Sequence, residues 1–254
     1  MLPTLLLLPG TLCDARVWEQ ACKALRRDWH CIYVDYRFET SIAAMAVAAL
    51  AQVDGPIVPI GVSMGGIVAL DIWRQAPERV AAIALLDTDP SADTVERRAK
   101  RDTQVKMAAR GNFLDMIESQ FITTYFFNAH SQKVSDQSLC STVISMAIDH
   151  GAAAYSAQAQ ALATRPDSWP LLESIDVPTL IACGAGDRIC LPETHIRMAS
   201  RLPLGMATFR SIAAAGHLAP LEQPEATGSV LRSWLETCFD KIDRLRQVGS
   251  IVGR

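Results

Sequence analysis

The amino-acid sequence predicts an α/β protein: a doubly wound, mostly parallel sheet of about six strands, with an inserted helical cap. Three observations support this prediction. Short apolar runs, bounded by glycine, proline or aspartate, recur along the chain without clear polar–apolar alternation. Longer amphipathic segments separate these runs and indicate right-handed strand–helix–strand crossovers. One stretch of about 80 residues has no evident strand and is too long for a plain connection.

The predicted strands and core helices follow one another along the chain. The apolar runs predict strands at residues 4–8, 30–35, 56–62, 80–87, 177–184 and 206–212. The amphipathic segments predict helices at residues 14–27, 41–52, 64–75, 192–201 and 224 to about 248. Because strand and helix alternate, we expect helices on both faces of the sheet.

The strand-free stretch predicts the helical cap. It contains about four helical segments, of which residues 113–127 and 136–151 are the clearest. Open α/β sheets bind ligands at the carboxyl ends of their strands, and we expect the cap to cover that edge. The chain then divides into a core, residues 1–88 and 169–254, and a cap, residues 89–168.

The composition excludes several classes of partner. Half of the 254 residues are apolar and a fifth are charged, which is typical of a globular enzyme. The formal net charge of −3 argues against nucleic acid or an anionic membrane, so we expect a small-molecule substrate. Oligomeric state is left open. The densest basic stretch, ERRAKR at residues 96–101, is interpreted as a solvated helix face.

The cysteines and the first residues indicate the cytoplasm. Seven cysteines form no CxxC pair and no zinc-type spacing with histidine, so we expect no metal site, no cofactor and a reducing compartment. The opening MLPTLLLLPGTLC is not typical of a secretion or lipid-attachment signal. No Lys or Arg precedes Arg16, the leucine run is short, and Leu12 comes directly before Cys13. No apolar run approaches the roughly 18 residues of a membrane span.

The motif GVSMGG, at residues 61–66, follows the strand PIVPI and opens an apolar helix. This is G-x-S-x-G in its strand–turn–helix setting, which predicts that Ser63 is a nucleophile on a sharp turn. Gly61 and Gly65 are needed because side chains there would collide, and Gly66 lets the helix pack close to the sheet. An ordinary glycine-rich turn is the alternative, whereas the Lys-Ser/Thr ending of a phosphate loop is absent.

A serine nucleophile needs a base, and His217 is the candidate. It follows the last predicted strand, in AAAGHLAPLEQPE, at the sheet edge where Ser63 emerges. The other four histidines are placed less favourably. His30 begins a strand, His130 and His150 lie in the predicted cap, and His195 lies early in a surface-type helix.

The acid that orients the base is predicted to be Asp187. It lies in GAGDRICLPE, directly after the strand VPTLIAC, and the order Ser63, Asp187, His217 is the one expected for this scaffold. Asp87 and Asp89, at the end of the preceding strand in LLDTDP, are the alternatives.

Together these segments resemble the α/β-hydrolase superfamily, and within it the compact branch of capped esterases, lactonases and related hydrolases. The resemblance runs almost end to end through LLLLPGTLCDARVWEQ, GVSMGG, GAGDRICLPE and GHLAPLEQPE. It implies that the loop after LLLLPG supplies an oxyanion donor, the backbone N–H of Thr11 or of Leu12. The N–H of Met64, directly after the nucleophile, is the implied second donor.

Two features depart from the family pattern. Pro9 stands where a histidine that braces the loop is common, and the chain begins at the oxyanion strand. We therefore expect a six-stranded, almost wholly parallel sheet without the two antiparallel strands that often precede it.

The predicted function is a cofactor-free serine hydrolase that cleaves a small carboxylic ester, lactone or thioester. Non-hydrolytic acid–base chemistry on the same scaffold (a C–C bond hydrolase, a lyase or an elimination synthase) is the alternative, and a ligand-binding receptor is a third hypothesis. Arg165 is interpreted as a surface residue, with contact to a substrate carboxylate as the alternative. Candidate pocket residues, for which plain packing is the alternative, are Phe121, Tyr125, Phe126 and Leu218.

Overall fold

The computed structural model describes residues 2–127 and 137–252, with side chains as far as residue 239. Its centre is a six-stranded sheet in the order β2-β1-β3-β4-β5-β6. Every neighbouring pair of strands is parallel. The strands are β1 (Thr4–Leu8), β2 (Cys31–Tyr33), β3 (Ile57–Val62), β4 (Ile83–Leu86), β5 (Thr179–Gly184) and β6 (Ala207–Ile212). The predicted fold class is confirmed.

The helices lie between the strands and after the last one. Their bounds are α1 (Ile42–Leu50), α2 (Met64–Gln75), α3 (Val95–Ala109), α4 (Phe113–Met116), α5 (Thr123–Tyr125), α6 (Gln137–Ala163), α7 (Trp169–Leu172), α8 (Pro192–Arg201), α9 (Ala219–Glu222) and α10 (Pro224–Val252). None of the helices in the described part of the chain is both long and apolar enough to cross a membrane.

The strand order places one topological switch point next to β1. The chain runs from β1 outward to β2, then returns to β3 on the other side of β1 and continues outward to β6. Ligand sites of open α/β sheets lie outside the carboxyl ends of the strands at such a point. The segments that follow β1 and β3 contain Thr11 and Ser63, so the fold brings both to this place.

Alternate side chains of the strands form two cores. Leu5 and Leu7 of β1 belong to a cluster that includes residues of α6 and α10, whereas Leu6 and Leu8 belong to a cluster with α1, α2 and α8. All four leucines are fully buried. The absence of polar–apolar alternation in TLLLL therefore reflects a strand that is covered on both faces.

The prediction of a helix at residues 14–27 is wrong. Two short 3₁₀ turns, Ala15–Val17 and Leu25–Arg27, stand there, joined by irregular turns. Tertiary contacts decide this conformation: the Trp18 indole N–H donates to Leu8 O (3.3 Å), and α10 lies directly against Ala21. Helical periodicity marked the buried side of the segment, but it did not reveal these contacts.

Helices occupy most of the chain between β4 and β5, as predicted. The predicted helix at 113–127 is α4, a π-helical turn (Ile117–Ile122) and α5 in succession. The predicted helix at 136–151 starts with α6 at Gln137, residue 136 lying outside the described residues. It continues to Ala163 across a break at Gly151, whose φ of 74° permits the kink. The division into core and cap at residues 89 and 168 stays a prediction.

We predict that Gly228→Ala destabilises the fold, although alanine is the better helix former. A Cβ at Gly228 of α10 would lie 2.3 Å from the carbonyl oxygen of Ala21. Overpacking against backbone should lower the free energy of unfolding by about 1–3 kcal/mol. Urea denaturation measures this change. Ser229→Ala, an exposed neighbour on the same helix, is the control and should leave stability equal or slightly higher.

Candidate active site

Ser63 lies on a strained turn between β3 and α2. Its φ of 55° and ψ of −119° fall in a region that costs a non-glycine residue about 1–3 kcal/mol. Two hydrogen bonds hold the turn to β4: Ser63 N–H donates to Leu86 O (2.9 Å), and Thr88 Oγ1 donates to Ser63 O (2.7 Å). The turn projects the Ser63 side chain beyond the carboxyl end of β3.

Glycines make the turn sterically possible. A Cβ at Gly61 would lie 2.1 Å from Gly65 O, and a Cβ at Gly65 would lie 2.1 Å from Leu8 O of β1. Backbone atoms cannot yield to such contacts, so the steric requirement expected at both positions is present. Gly66 was expected to let α2 pack closely against the sheet. A Cβ added there would instead lie 2.6 Å from the side chain of Thr88, in the segment that follows β4.

Ser63, His217 and Asp187 form one hydrogen-bonded chain. His217 Nε2 lies 2.8 Å from Ser63 Oγ, and His217 Nδ1 lies 2.9 Å from Asp187 Oδ2. An ionised carboxylate only accepts hydrogen bonds, so the imidazole proton resides on Nδ1. Nε2 is then free to accept the Ser63 O–H. His217 and Asp187 are both nearly inaccessible to solvent.

The surroundings of Asp187 favour its ionised form. Its Oδ1 accepts backbone N–H bonds from Ile189 (2.8 Å) and Cys190 (3.0 Å). Burial acts to raise the pKa of Asp187, but the charge and hydrogen bond of His217, together with those backbone bonds, hold it below its usual value. Asp187 is therefore suited to hold an imidazolium.

The two alternative acids, Asp87 and Asp89, have partners other than His217. Asp87 is fully buried, and its carboxyl oxygens accept from the N–H groups of Gly184 (2.7 Å) and Ala219 (3.2 Å). Burial, and then the charge of Asp187, raise the pKa of Asp87 well above its usual range, which favours a neutral carboxyl. Asp89 instead pairs with Arg97 (2.7 Å). Neither has a hydrogen bond with His217 among the described residues.

The three other histidines in the described part of the chain have partners other than Ser63 and Asp187. His195 is fully buried rather than on the surface: its Nε2 accepts from Thr88 N–H (2.9 Å) and its Nδ1 donates to Leu191 O (3.1 Å). His150 Nδ1 lies 2.8 Å from the backbone oxygen of residue 146. His30 contacts the hydroxyl of residue 4 at 3.4 Å. Residue 130, the fifth histidine, lies outside the described residues.

Two of the implied oxyanion donors, the backbone N–H groups of Thr11 and Met64, are not used in hydrogen bonds within the described part of the chain. Among the described residues, neither Thr11 N–H nor Met64 N–H donates to a protein acceptor, and both residues line the same cavity as Ser63. Leu12 N–H, the other implied donor, is occupied by Gln158 Oε1 (2.8 Å). Leu12 itself has a positive φ of 56°.

Two residues that the sequence analysis missed brace this loop. Gln158 is buried on α6, and Tyr36 donates its hydroxyl hydrogen bond to Pro9 O (2.6 Å). Both hydrogen bonds reach the segment of residues 9–12, which contains Pro9. No local signal identifies them, because Gln158 and Leu12 are 146 positions apart in the chain.

A cavity of about 340 Å³ opens beside Ser63 and His217. Phe121 and Tyr125 lie on its wall, and the Tyr125 ring is tilted against the imidazole with centroids 5.4 Å apart. Phe126 and Leu218 do not line it, because both are buried in the apolar core on that side of the sheet. A volume of this order suits a small molecule.

The basic stretch of α3 faces this cavity instead of forming only a solvated surface. Arg97, Lys100 and Arg101 all lie on the cavity wall. Arg165 also lines it and is buried rather than exposed, with its Nε donating to Ser91 O (2.7 Å). The spacing of the three α3 residues, i, i+3 and i+4, puts them on one helix face.

One group of side chains in the described part of the chain has metal-ligand proximity. Ligand atoms of Asp187, Cys190 and His217 lie within 4.8 Å of one another. Asp187 and His217 are bonded to each other, and burial raises the pKa of Cys190 well above its usual value. Asp187 and His217 are thus already engaged with each other in the hydrogen-bonded chain that begins at Ser63.

The parallel sheet and the strained serine turn are those of an α/β hydrolase. The chain belongs to the alpha/beta hydrolase family, whose model matches residues 5–229. Among solved structures, a thermophilic esterase from Thermogutta terrifontis, with malate bound, superposes with a TM-score of 0.85 at 28% identity. That match covers 94% of this chain and 91% of the esterase.

Several curated relatives match in sequence, and two of them match over most of this chain. A putative 2-succinyl-6-hydroxy-2,4-cyclohexadiene-1-carboxylate synthase of Bacillus subtilis is 28% identical over 186 residues, 69% of this chain. A pimeloyl-[acyl-carrier protein] methyl ester esterase of Neisseria meningitidis is 28% identical over 211 residues, 80% of this chain. The match spans 64% of the length of each relative.

We predict that Gln158→Ala destabilises the loop after β1. The substitution leaves the buried N–H of Leu12 without an acceptor, which should cost about 1–3 kcal/mol of unfolding free energy. Gln160→Ala removes the same side chain from an exposed position of α6 and should stay within about 0.5 kcal/mol of wild type. Chemical denaturation of both variants measures the difference. Equal stability of the two would contradict a bracing role for Gln158.

Proposed function

We propose that this protein is a serine hydrolase that cleaves a small carboxylic ester, lactone or thioester through an acyl-enzyme. The observation that carries the proposal is the hydrogen-bonded chain from Ser63 through His217 to Asp187, which ends in a cavity of about 340 Å³. Membership of the alpha/beta hydrolase family and the two esterases among the compared proteins support it.

The first half of the reaction forms the acyl-enzyme. His217 Nε2 takes the hydroxyl proton as Ser63 Oγ attacks the carbonyl carbon of the substrate. Asp187 holds the imidazole with Nε2 toward Ser63 and stabilises the imidazolium that forms. When the tetrahedral intermediate collapses, the bond to the leaving group breaks, and His217 gives its proton to that group.

The developing oxyanion needs donors that are already in place. The unused backbone N–H groups of Thr11 and Met64 are the proposed pair. A donor of this kind contributes about 3–4 kcal/mol of transition-state stabilisation in a serine protease. Because the donors are main-chain groups, Gly10 and the bracing of the loop matter more for them than the side chain of residue 11.

The second half of the reaction releases the acid. A water molecule takes the place of the leaving group, and His217 removes its proton as it attacks the acyl carbon. Ser63 leaves with that proton, which regenerates the starting state. No step uses a group other than the chain, the substrate and water.

A second candidate function is acid–base catalysis without an acyl-enzyme. It is favoured by the similarity to a protein of Bacillus subtilis that is described as a synthase. In this candidate Ser63 and His217 would relay a proton to or from the substrate, without a covalent bond to Ser63. The two candidate functions are separated by mass spectrometry. The protein is incubated with an ester whose acyl-enzyme hydrolyses slowly, and the reaction is quenched with acid. Only a hydrolase then carries an acyl group on the peptide that contains Ser63.

We predict that Ser63→Ala abolishes hydrolysis of p-nitrophenyl esters of short acids. Loss of the nucleophile in a serine protease lowers kcat by about 10⁶, so a loss of at least about 10³ is expected here. Circular dichroism and the melting temperature should stay near wild type, since alanine also fits the turn. Retention of more than about a tenth of the activity would rule out Ser63 as the nucleophile.

Asp187→Asn and Asp87→Asn form a second test, because the two buried aspartates follow neighbouring strands. We expect Asp187→Asn to lower kcat at least about a hundredfold, since the imidazolium loses its negative partner. Asp87→Asn should keep kcat within about tenfold while lowering the melting temperature, because its carboxyl only accepts backbone N–H bonds. Steady-state kinetics and thermal melts are the measurements. A larger loss of kcat in Asp87→Asn than in Asp187→Asn would show that Asp87, after β4, is the acid that orients His217.

A further inference from the structure

Basic side chains dominate the charged lining of the cavity beside Ser63. Only Asp89 is acidic among the lining residues of the described chain. The basic residues on the wall are Arg97, Lys100, Arg101, Arg165 and Arg188. A neutral ester would not need basic residues on the cavity wall. The positive charges of the wall therefore need a physical explanation.

The nearby carboxylates neutralise only part of this charge. Asp89 pairs with Arg97 at 2.7 Å. Asp93, whose side chain is fully buried behind the wall, serves two arginines at once: Arg101 Nε at 2.6 Å and Arg165 at 2.8 Å. One carboxylate cannot balance two guanidinium groups, so this cluster alone retains one positive charge.

The other two cations have no carboxylate in ion-pair contact within the part of the chain that the structure describes. Lys100 is exposed on the same face of α3 as Arg97 and Arg101. Arg188 is exposed in the loop after β5 and donates to Phe127 O (2.7 Å). Glu222 interacts with Arg188 through its charge but without an ion-pair contact, and its carboxylate accepts the N–H of Phe127 at 2.9 Å.

The buried part of the wall carries more positive than negative charge, because Asp89 and Asp93 face three arginines, Arg97, Arg101 and Arg165. Burial and the neighbouring Arg101 lower the pKa of Arg165, despite the opposite effect of Asp93. Arg165 is only 6% exposed, so water does little to solvate it. Guanidinium groups that are held close together bind carboxylates well, because a carboxylate accepts charge-assisted hydrogen bonds from them. A ligand carboxylate could therefore offset the charge that Asp89 and Asp93 leave.

We propose that the substrate carries a carboxylate in addition to the scissile carbonyl, and that the wall formed by Arg97, Arg101 and Arg165 with Lys100 and Arg188 binds it. The inference rests on the proposed function and names the class of its substrate: half-esters of dicarboxylic acids or similar anionic esters. Lys100 and Arg188, at the exposed rim, attract the anion, and the more buried arginines receive it.

The first experiment measures binding without turnover. In the Ser63→Ala background, titration calorimetry compares monomethyl adipate with dimethyl adipate, which differ in charge but hardly in length. We expect the anion to bind at least about fivefold more tightly than the diester. Equal or weaker binding of the anion would overturn the inference, whatever the enzyme's reaction is.

Charge-removing variants assign the preference to the wall. Lys100→Met and Arg188→Met, each added to Ser63→Ala, should weaken monomethyl adipate binding at least about threefold and leave dimethyl adipate within about twofold. Both side chains are exposed and free of ion pairs in the described chain, so folding should be preserved; a thermal melt checks this. Arg201→Met removes an exposed arginine that pairs with Glu173, away from the cavity, and is the matched control. If the rim variants behave like the control, the wall is not the anion site.

A kinetic comparison separates this inference from the proposed function. Wild-type enzyme should hydrolyse p-nitrophenyl hydrogen adipate with at least about fivefold higher kcat/KM than p-nitrophenyl methyl adipate. Turnover of both esters without preference would contradict the inference and leave the hydrolase intact. Anion-selective binding with turnover of neither ester would instead support the anion site and contradict the hydrolase.

Discussion

The close approach of the turn at Ser63 to the end of β1 is the constraint on which the rest of the site depends. The backbone of Gly65 lies so near Leu8 O that even a methyl group would overlap it. This contact brings the start of α2 beside the loop that follows β1. It therefore places the N–H groups of Thr11 and Met64 next to the same serine, and it does so with main-chain atoms that cannot swing away. The strain at Ser63 is tolerated because hydrogen bonds to Leu86 and Thr88 hold the turn from the other side.

The helices between β4 and β5 help to hold the loops of the site in place. Gln158 of α6 holds Leu12 in a positive-φ conformation. At the other side of the cavity, His217 N–H donates to Tyr125 O (2.6 Å), and Glu222 accepts from the N–H groups of both Gly216 (2.6 Å) and Phe127 (2.9 Å). The loop after β1 and the loop that contains His217 are thus both hydrogen-bonded to residues between β4 and β5. A change in the packing of these helices would alter the geometry around Ser63, and not only access to it.

The charges of the insertion give the same helices a second role in the proposed chemistry. One face of α3 brings basic residues to the cavity, while Asp89 and Asp93, in the segment before α3, hold part of that charge in place. Ion pairs of this kind fix the positions of the planar guanidinium groups. In the proposed chemistry, the surplus that the carboxylates of the described residues do not balance is available for an anionic ligand.

The sequence by itself determined the features that follow from local sterics and from the order of elements. Uninterrupted apolar runs predicted strands buried on both faces, and GVSMGG predicted the tight turn because only glycine fits at positions 61 and 65. Since parallel strands end at a common edge, the positions of Asp187 and His217 after β5 and β6 were enough to expect them near Ser63. Local sequence does not distinguish Asp187 from Asp87, because both residues follow buried strands at that edge.

Tertiary structure alone decided the rest, because those features depend on contacts between residues far apart in the chain. Periodicity predicted a helix at residues 14–27, but packing against α10 and a hydrogen bond to Leu8 hold the segment in turns. The bracing of Leu12 by Gln158 leaves no local pattern, and neither does the burial of Phe126 away from the cavity. The sequence predicted a solvated helix face for the basic stretch of α3, because a dense run of charges is typical of such a face. Only the fold, by laying α3 beside the cavity with Arg165 opposite Asp93, turned that face toward the site.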